Sequence, residues 1–210
     1  MRISIFGALF CMLLSTCAQA KGLRVVDETA DNEAIVARVY RLCDVKLGPL
    51  AMATIQRHVS DTIGMFSKRE DRVAAALLVC VESRFNSGAV SAVGAVGLTQ
   101  VMPKYAASFA KDCYLSTQPL DLWVPEVNLR TGFCQFRKLL TQYGGRYSMA
   151  LAAYNAGAES PTVKRLRRHE RINTETADYI SRFHNLKEAF YEDENALALS
   201  SGIPTPSGPN

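Results

Sequence analysis

Apolar positions along this chain recur mostly at helical spacing, with one stretch apolar throughout. From Asp31 to Cys43, the residues Ile35, Val36, Val39, Tyr40, Leu42 and Cys43 fall on one stripe of a helix. A short helix is predicted over 50–59 and a third over Lys68–Val81, entered through Ser67. Within the third, residues 73–81 read VAAALLVCV, and a glutamate, Glu82, comes directly after them. Residues 86–97 are rich in Gly, Ala, Ser and Val without a clear period, which predicts a loop holding at most a short strand pair. Leu129, Phe133, Phe136, Leu140 and Tyr143 stand at i, i+4, i+7, i+11 and i+14, one face of a helix that Gly144-Gly145 ends. Further helices are predicted over Ser148–Ala156 and from Thr174 to about Tyr191. No series of alternating strands is present, so the expected fold is mainly α. From Tyr191 the chain turns acidic, and Ser200–Asn210 is rich in Ser, Gly and Pro, which predicts a disordered tail over 191–210.

The first residues have a different pattern. Met1-Arg2 is a short positive segment, Ile3–Leu14 is almost wholly apolar, and Ala18-Gln19-Ala20 has the small-x-small form of a signal-peptidase site. A signal peptide over 1–20 is therefore expected, with export to the periplasm and no integral membrane span after its removal. The apolar run is shorter than the roughly 20 residues that span a bilayer. Leu14-Ser15-Thr16-Cys17 loosely resembles a lipoprotein box, although threonine before the cysteine fits it poorly, and a lipid anchor at Cys17 is the alternative.

Composition narrows the function. The chain has 210 residues, 48% hydrophobic and 21% charged, an ordinary globular balance with room for one real core and a small appendage. A net charge of +4, or +3 once Arg2 has left with the signal, is too mild to indicate a nucleic-acid partner. Four cysteines remain in the expected mature chain, Cys43, Cys80, Cys113 and Cys134. They are compatible with two disulfides in any of three pairings, or, for Cys80 within its apolar run, with a small buried hydrophobe. No Cys-x-x-Cys occurs, and His58, His169 and His184 are far apart, so no metal site is expected. Gly88, Gly94 and Gly97 do not form a dinucleotide fingerprint, and no cofactor is expected. The basic run Lys164-Arg165-Leu166-Arg167-Arg168 reads as a solvated helix face.

Glu82 carries the chemistry. A carboxyl at the end of an apolar helix is desolvated, which disfavours its charged form and raises its pKa. The competing reading is a helix-end glutamate facing water or paired with a cation such as Arg84. A series of short motifs downstream weighs against that alternative: Glu82-Ser83-Arg84-Phe85-Asn86, then Gly94, then Gly97-Leu98-Thr99-Gln100-Val101-Met102-Pro103, then Ala153-Tyr154-Asn155-Ala156-Gly157, then Glu175-Thr176-Ala177-Asp178-Tyr179. In order and spacing this series resembles the soluble lytic transglycosylase (SLT) family.

The resemblance spans about residues 67–185. It implies a lysozyme-like helical domain over 67–190 with at most a small β-hairpin, preceded by an N-terminal helical extension over 21–66. It also implies cleavage of peptidoglycan glycan strands. The family's single catalytic glutamate falls on Glu82, with Ser83 directly after it. A sugar-contacting serine falls on Ser91, and the groove-lining glutamine and methionine on Gln100 and Met102. Tyr154 and Asn155 come from the Tyr-Asn pair, and Glu175 is a second acid that lines the site without replacing the first. Thr99 stands where the family usually has methionine, which bears on local packing. Ser87 and Thr174 stand where prolines are common. Exported enzymes of this kind often accompany envelope-spanning secretion or conjugation assemblies, so such an apparatus is an expected partner beside the glycan strands. A lysozyme-type hydrolase and a non-catalytic wall-binding scaffold are the rival readings.

Overall fold

The computed structural model describes residues 27–45, 47–112 and 120–201. The expected signal peptide, the Cys17 alternative, Cys113 and residues 202–210 of the expected tail lie outside the described residues.

Among the described residues eight helices succeed one another: α1 Glu28–Leu42, α2 Pro49–Ile63, α3 Arg69–Ser83, α4 Pro103–Asp112, α5 Pro125–Gln142, α6 Tyr147–Ala156, α7 Pro161–Arg167 and α8 Thr174–Ser201. Local chemistry sets their ends. The Asp27 carboxylate accepts from the Thr29 and Ala30 amides and caps α1, with Glu28 and Asp31 suiting the positive end of its dipole. Pro125 opens α5, while Gly144 and Gly145, both at positive φ, come after its Tyr143 cap. The residue that caps the start of α3 is Lys68, one past the predicted entry at Ser67.

The unbroken apolar run has a direct structural cause. Val73 through Val79 are entirely without solvent contact, so α3 is buried on every side and has no polar face to offer. α1 and α8 both pack against it, and α2 touches its flank. The predicted face of α5 is buried from Leu129 to Tyr143, and α5 packs on α2 and α6. One continuous core joins Ile35, Val39 and Val59 to Leu78, Phe133, Leu151 and Phe183. Residues 28–63 thus share the core of α3 rather than standing off as a separate appendage.

Two further features tie α1 down. Cys43, the cap of α1, is disulfide-bonded to Cys80, and Cys134 is disulfide-bonded as well. The Cys43–Cys80 bridge closes a sequence separation of 37, a loop whose closure restricts the unfolded chain by about 3–4 kcal/mol. Beyond the core, Arg38 reaches Asp193 at 2.8 Å and Glu194 at 2.9 Å across to α8. The acidic stretch after Tyr191 is consequently not tail but helix: α8 continues to Ser201, ten residues past the expected end, because its carboxylates face cations on α1 and α3.

The loop after α3 holds only isolated bridges among the described residues, Val90 with Val96 and Val96 with Val101. It rests on a second small apolar cluster of Val96, Val101, Ala106 and Leu122. The basic run lies mostly on α7, where Val163 turns inward and the cations stay exposed.

Candidate active site

Glu82 belongs to the last turn of α3, which ends when Arg84 adopts φ 50° and its amide returns to the Cys80 carbonyl. A helix C-terminus is the negative end of the dipole, a poor place for a second negative charge. Burial adds to this and is the dominant effect: the Glu82 carboxyl is pushed up to about 7. Two weaker influences pull the other way. The Tyr179 hydroxyl, from α8, donates to Glu82 Oε1 at 2.5 Å, and the Arg182 guanidinium one turn further along α8 acts on the same carboxylate. The nearby cation is therefore Arg182; Arg84, next but one in sequence, is exposed and makes no ion pair among the described residues.

Tyr154 approaches from α6. Its phenol is raised well above the ordinary range, by burial first and then by the charge of Glu82, and its hydroxyl donates to the Thr99 carbonyl at 2.8 Å. Tyr179 is raised in the same way. Glu82 thus sits between two neutral phenols, one bonded to it and the other held beside it by the 97–100 turn.

That turn is fixed by residues buried behind the groove. Thr99 is fully buried, and its amide and hydroxyl both donate to the side-chain oxygen of Asn128, at 2.9 and 2.8 Å. The Asn128 amide nitrogen donates in turn to the Val96 and Leu122 carbonyls. Gly132, one helical turn further along α5, lets the turn sink in: a β-carbon there would meet Thr99 Oγ1 at 2.2 Å and the Tyr154 hydroxyl at 2.8 Å. Ser83 completes the attachment by donating to the Leu98 carbonyl at 2.8 Å.

A groove of about 510 Å³ runs alongside, lined among others by Gln100, Met102, Tyr105, Phe109, Tyr154 and Asn155. Four expected site residues, Gln100, Met102, Tyr154 and Asn155, therefore share one surface. Gln100 has φ 49°, and its amide nitrogen donates to the Ala89 and Gly97 carbonyls, which leaves its oxygen as the group to present to a ligand. Asn155 is oriented by the Thr176 hydroxyl, which donates to its oxygen at 3.0 Å. Ser91 lies away from this lining, in the turn where its hydroxyl accepts from the Ala95 amide. Ser83 lines a different cavity, and Glu82 is reached through its neighbour Tyr154. Glu175 stands exposed in the first turn of α8, and the buried residue beside it is Thr176.

Sequence reasoning assigns no role to Tyr179, although it closes the last motif, and none to Asn128. Tyr179 is i+3 from Thr176, so both lie on the inward face of α8, a periodicity that marks it. Asn128 carries no such signal; only the buried Thr99 makes it intelligible. Among the described residues no cluster of His, Cys, Asp and Glu is arranged to hold a metal.

The match to a family model for the transglycosylase SLT domain covers residues 66–176, and the chain belongs to that family. Among solved structures it is similar to an inactive mutant of the lytic transglycosylase Slt from Pseudomonas aeruginosa, at 26% identity and TM-score 0.54, over 69% of this chain and 24% of that one. It is similar in fold to the 70 kDa soluble lytic transglycosylase from Escherichia coli, at 22% identity and TM-score 0.53, over 69% and 27%. The chain thus matches about a quarter of the length of those proteins. The lysozyme-like helical fold expected from the motifs is the fold found.

Proposed function

We propose that the chain is a peptidoglycan lytic transglycosylase that cleaves the β-1,4 bond between N-acetylmuramic acid and N-acetylglucosamine and leaves a 1,6-anhydro end. The observation that carries this reading is a single desolvated carboxyl behind the groove residue Tyr154, Glu82, balanced near neutrality. With a pKa of about 7, both its acid and its base forms are well populated at neutral pH. Protonated Glu82 donates to the glycosidic oxygen as positive charge builds on the muramyl anomeric carbon. The ionised carboxylate then takes the proton of the C6 hydroxyl of the same sugar, which attacks that carbon. Tyr179 holds the carboxylate oxygen through both steps. Glycosidases that use an external water or a covalent intermediate employ a pair of carboxylates. Here the charge acting on Glu82 is a guanidinium and not a second acid, which favours the internal hydroxyl and its proximity advantage.

Digestion of purified sacculi, with products analysed by mass, tests the reading. Wild type is expected to release anhydro-muropeptides and Glu82→Gln to lose at least about 100-fold in rate. Reducing-end muramic acid without anhydro ends would make the protein a hydrolase, and wall binding without any cleavage would make it a scaffold. Service to a secretion or conjugation assembly, from a periplasmic location, is the narrower part of the proposal. It is tested by whether deleting the gene blocks assembly of that apparatus while bulk wall turnover continues.

A further inference from the structure

Helix α3 ends on a residue that glycine would suit better. The left-handed position after a helix is usually glycine, because a β-carbon is crowded there. This chain places Arg84 at φ 50° and Phe85 at φ 60° in succession. Phe85 has an evident reason: it is fully buried and stands edge-on to Tyr40, with ring centres 5.3 Å apart. Arg84 has no such packing. Its side chain is exposed and makes no hydrogen bond or ion pair among the described residues.

Its surroundings supply the reason. Arg84 lines two adjoining cavities, of about 310 and 320 Å³. The first also contains Arg182 and Asn185 from α8, and the second contains Ser83 and Asn86. Asp44 lines both and pairs with neither arginine. Arg182 lies three residues after Tyr179, on the same face of α8, and Tyr179 is bonded to Glu82. One guanidinium, that of Arg182, therefore acts on Glu82, and Arg84 shares its cavity.

We propose that Arg84 and Arg182 form a carboxylate-binding site that takes the acidic stem peptide of the muramic acid being cleaved. The inference rests on the glycan-cleaving reading of Glu82 for the placement of that sugar. Muramic acid is the peptide-bearing sugar, and its anomeric carbon is the one Glu82 serves, so peptide carboxylates leave the glycan close to these side chains. Guanidinium is the cation best matched to a carboxylate, since its planar fork donates two parallel hydrogen bonds. At an exposed rim such a pair selects and orients the substrate more than it adds raw affinity, and salt weakens it.

The experiment compares two substrates and one ligand. Values of kcat/KM are measured on glycan strands bearing stem peptides and on strands stripped by an amidase, for wild type, Arg84→Ala and Arg84→Lys, at low and moderate salt. Alanine keeps the backbone strain of position 84, so melting temperature reports any loss of fold separately. The preference of wild type for peptide-bearing strands is expected to fall about tenfold in Arg84→Ala, to recover in part in Arg84→Lys, and to shrink with salt. Binding of the free stem tetrapeptide, monitored by NMR titration, is expected to weaken by a similar factor in Arg84→Ala and in Arg182→Ala. Equal losses on both substrates, or peptide binding that ignores both arginines, overturn the site. A wild type that binds the peptide through these arginines but cleaves neither strand keeps the site and overturns the glycan-cleaving reading instead.

Discussion

The two ends of α3 treat charge in opposite ways. At its start, Arg69 meets Asp31 at 3.0 Å and Glu194 at 2.7 Å, and Arg72 meets Asp31 at 3.1 Å. These groups are poorly exposed, with Arg72 at 7% and Asp31 at 12%, yet each charge has an opposite one within reach. At its end, Glu82 is offered a phenol and a guanidinium that is itself exposed, and it drifts toward neutrality. The same helix thus fixes ionisation at its clasp and leaves it adjustable at Glu82. A half-buried charge is stable only with a partner, and withholding a close partner makes a carboxyl reactive at neutral pH.

The comparison is broken most severely at the clasp. Asp31→Ala leaves two arginines facing each other without their shared acid, and it is expected to lower stability by about 3 kcal/mol, read as a shift of the urea midpoint. Glu82→Gln has the opposite sign. Because the native pKa of Glu82 is raised, its favourable contribution is complete below about pH 4.5 and disappears as pH rises through about 7. The amide variant lacks that slope and keeps an acceptor for Tyr179, so at pH 8.5 it is expected to be about 2 kcal/mol more stable than wild type, with the gain absent at pH 4.

Tyr179→Phe removes a donor that favours the ionised carboxylate. The basic limb of the pH–rate profile is expected to move to higher pH, and kcat to fall about tenfold as Glu82 loses its anchor. A rate loss without movement of the limb would reduce Tyr179 to a packing residue. The smallest effect is at position 84, where glycine relieves a left-handed side chain worth about 1–2 kcal/mol but frees the unfolded chain by about 0.4–1 kcal/mol. Arg84→Gly should therefore melt slightly higher than wild type, a gain in stability accompanying the loss of a side chain kept for binding.

The clasp is far less legible in the sequence than the Glu82 end. The apolar run, Glu82 and the ordered motifs lie within the reach of local reading, since burial on all sides forces an unbroken hydrophobic string. Asp193 and Glu194 look like solvent-facing acids in any local window. Their partners are distant, with Glu194 separated from Arg69 by 125 positions and from Arg38 by 156, and only the folded core makes α8 continue to Ser201. The pairing of Cys43 with Cys80 is one of three possibilities until the packing of α1 on α3 chooses it. At the site, Gln100 reads in sequence as an amide for a sugar hydroxyl, but its nitrogen is already bonded to the loop that presents it. Thr99 is legible only as a departure from the family pattern, and its reason is Asn128, a residue no motif contains.

Thr99, Asn128, Gly132 and Tyr154 behave as a single exchangeable part. Restoring the family's usual methionine at position 99 alone would forfeit the hydroxyl bonds to Asn128 and thrust a longer side chain toward the bare backbone of Gly132, against which Tyr154 also leans. For anyone recombining this domain with its relatives, a crossover drawn between residues 99 and 154 would separate pieces that fit only each other. The safe joints lie outside that interval, where parents can differ freely without dislodging the tyrosine beside Glu82.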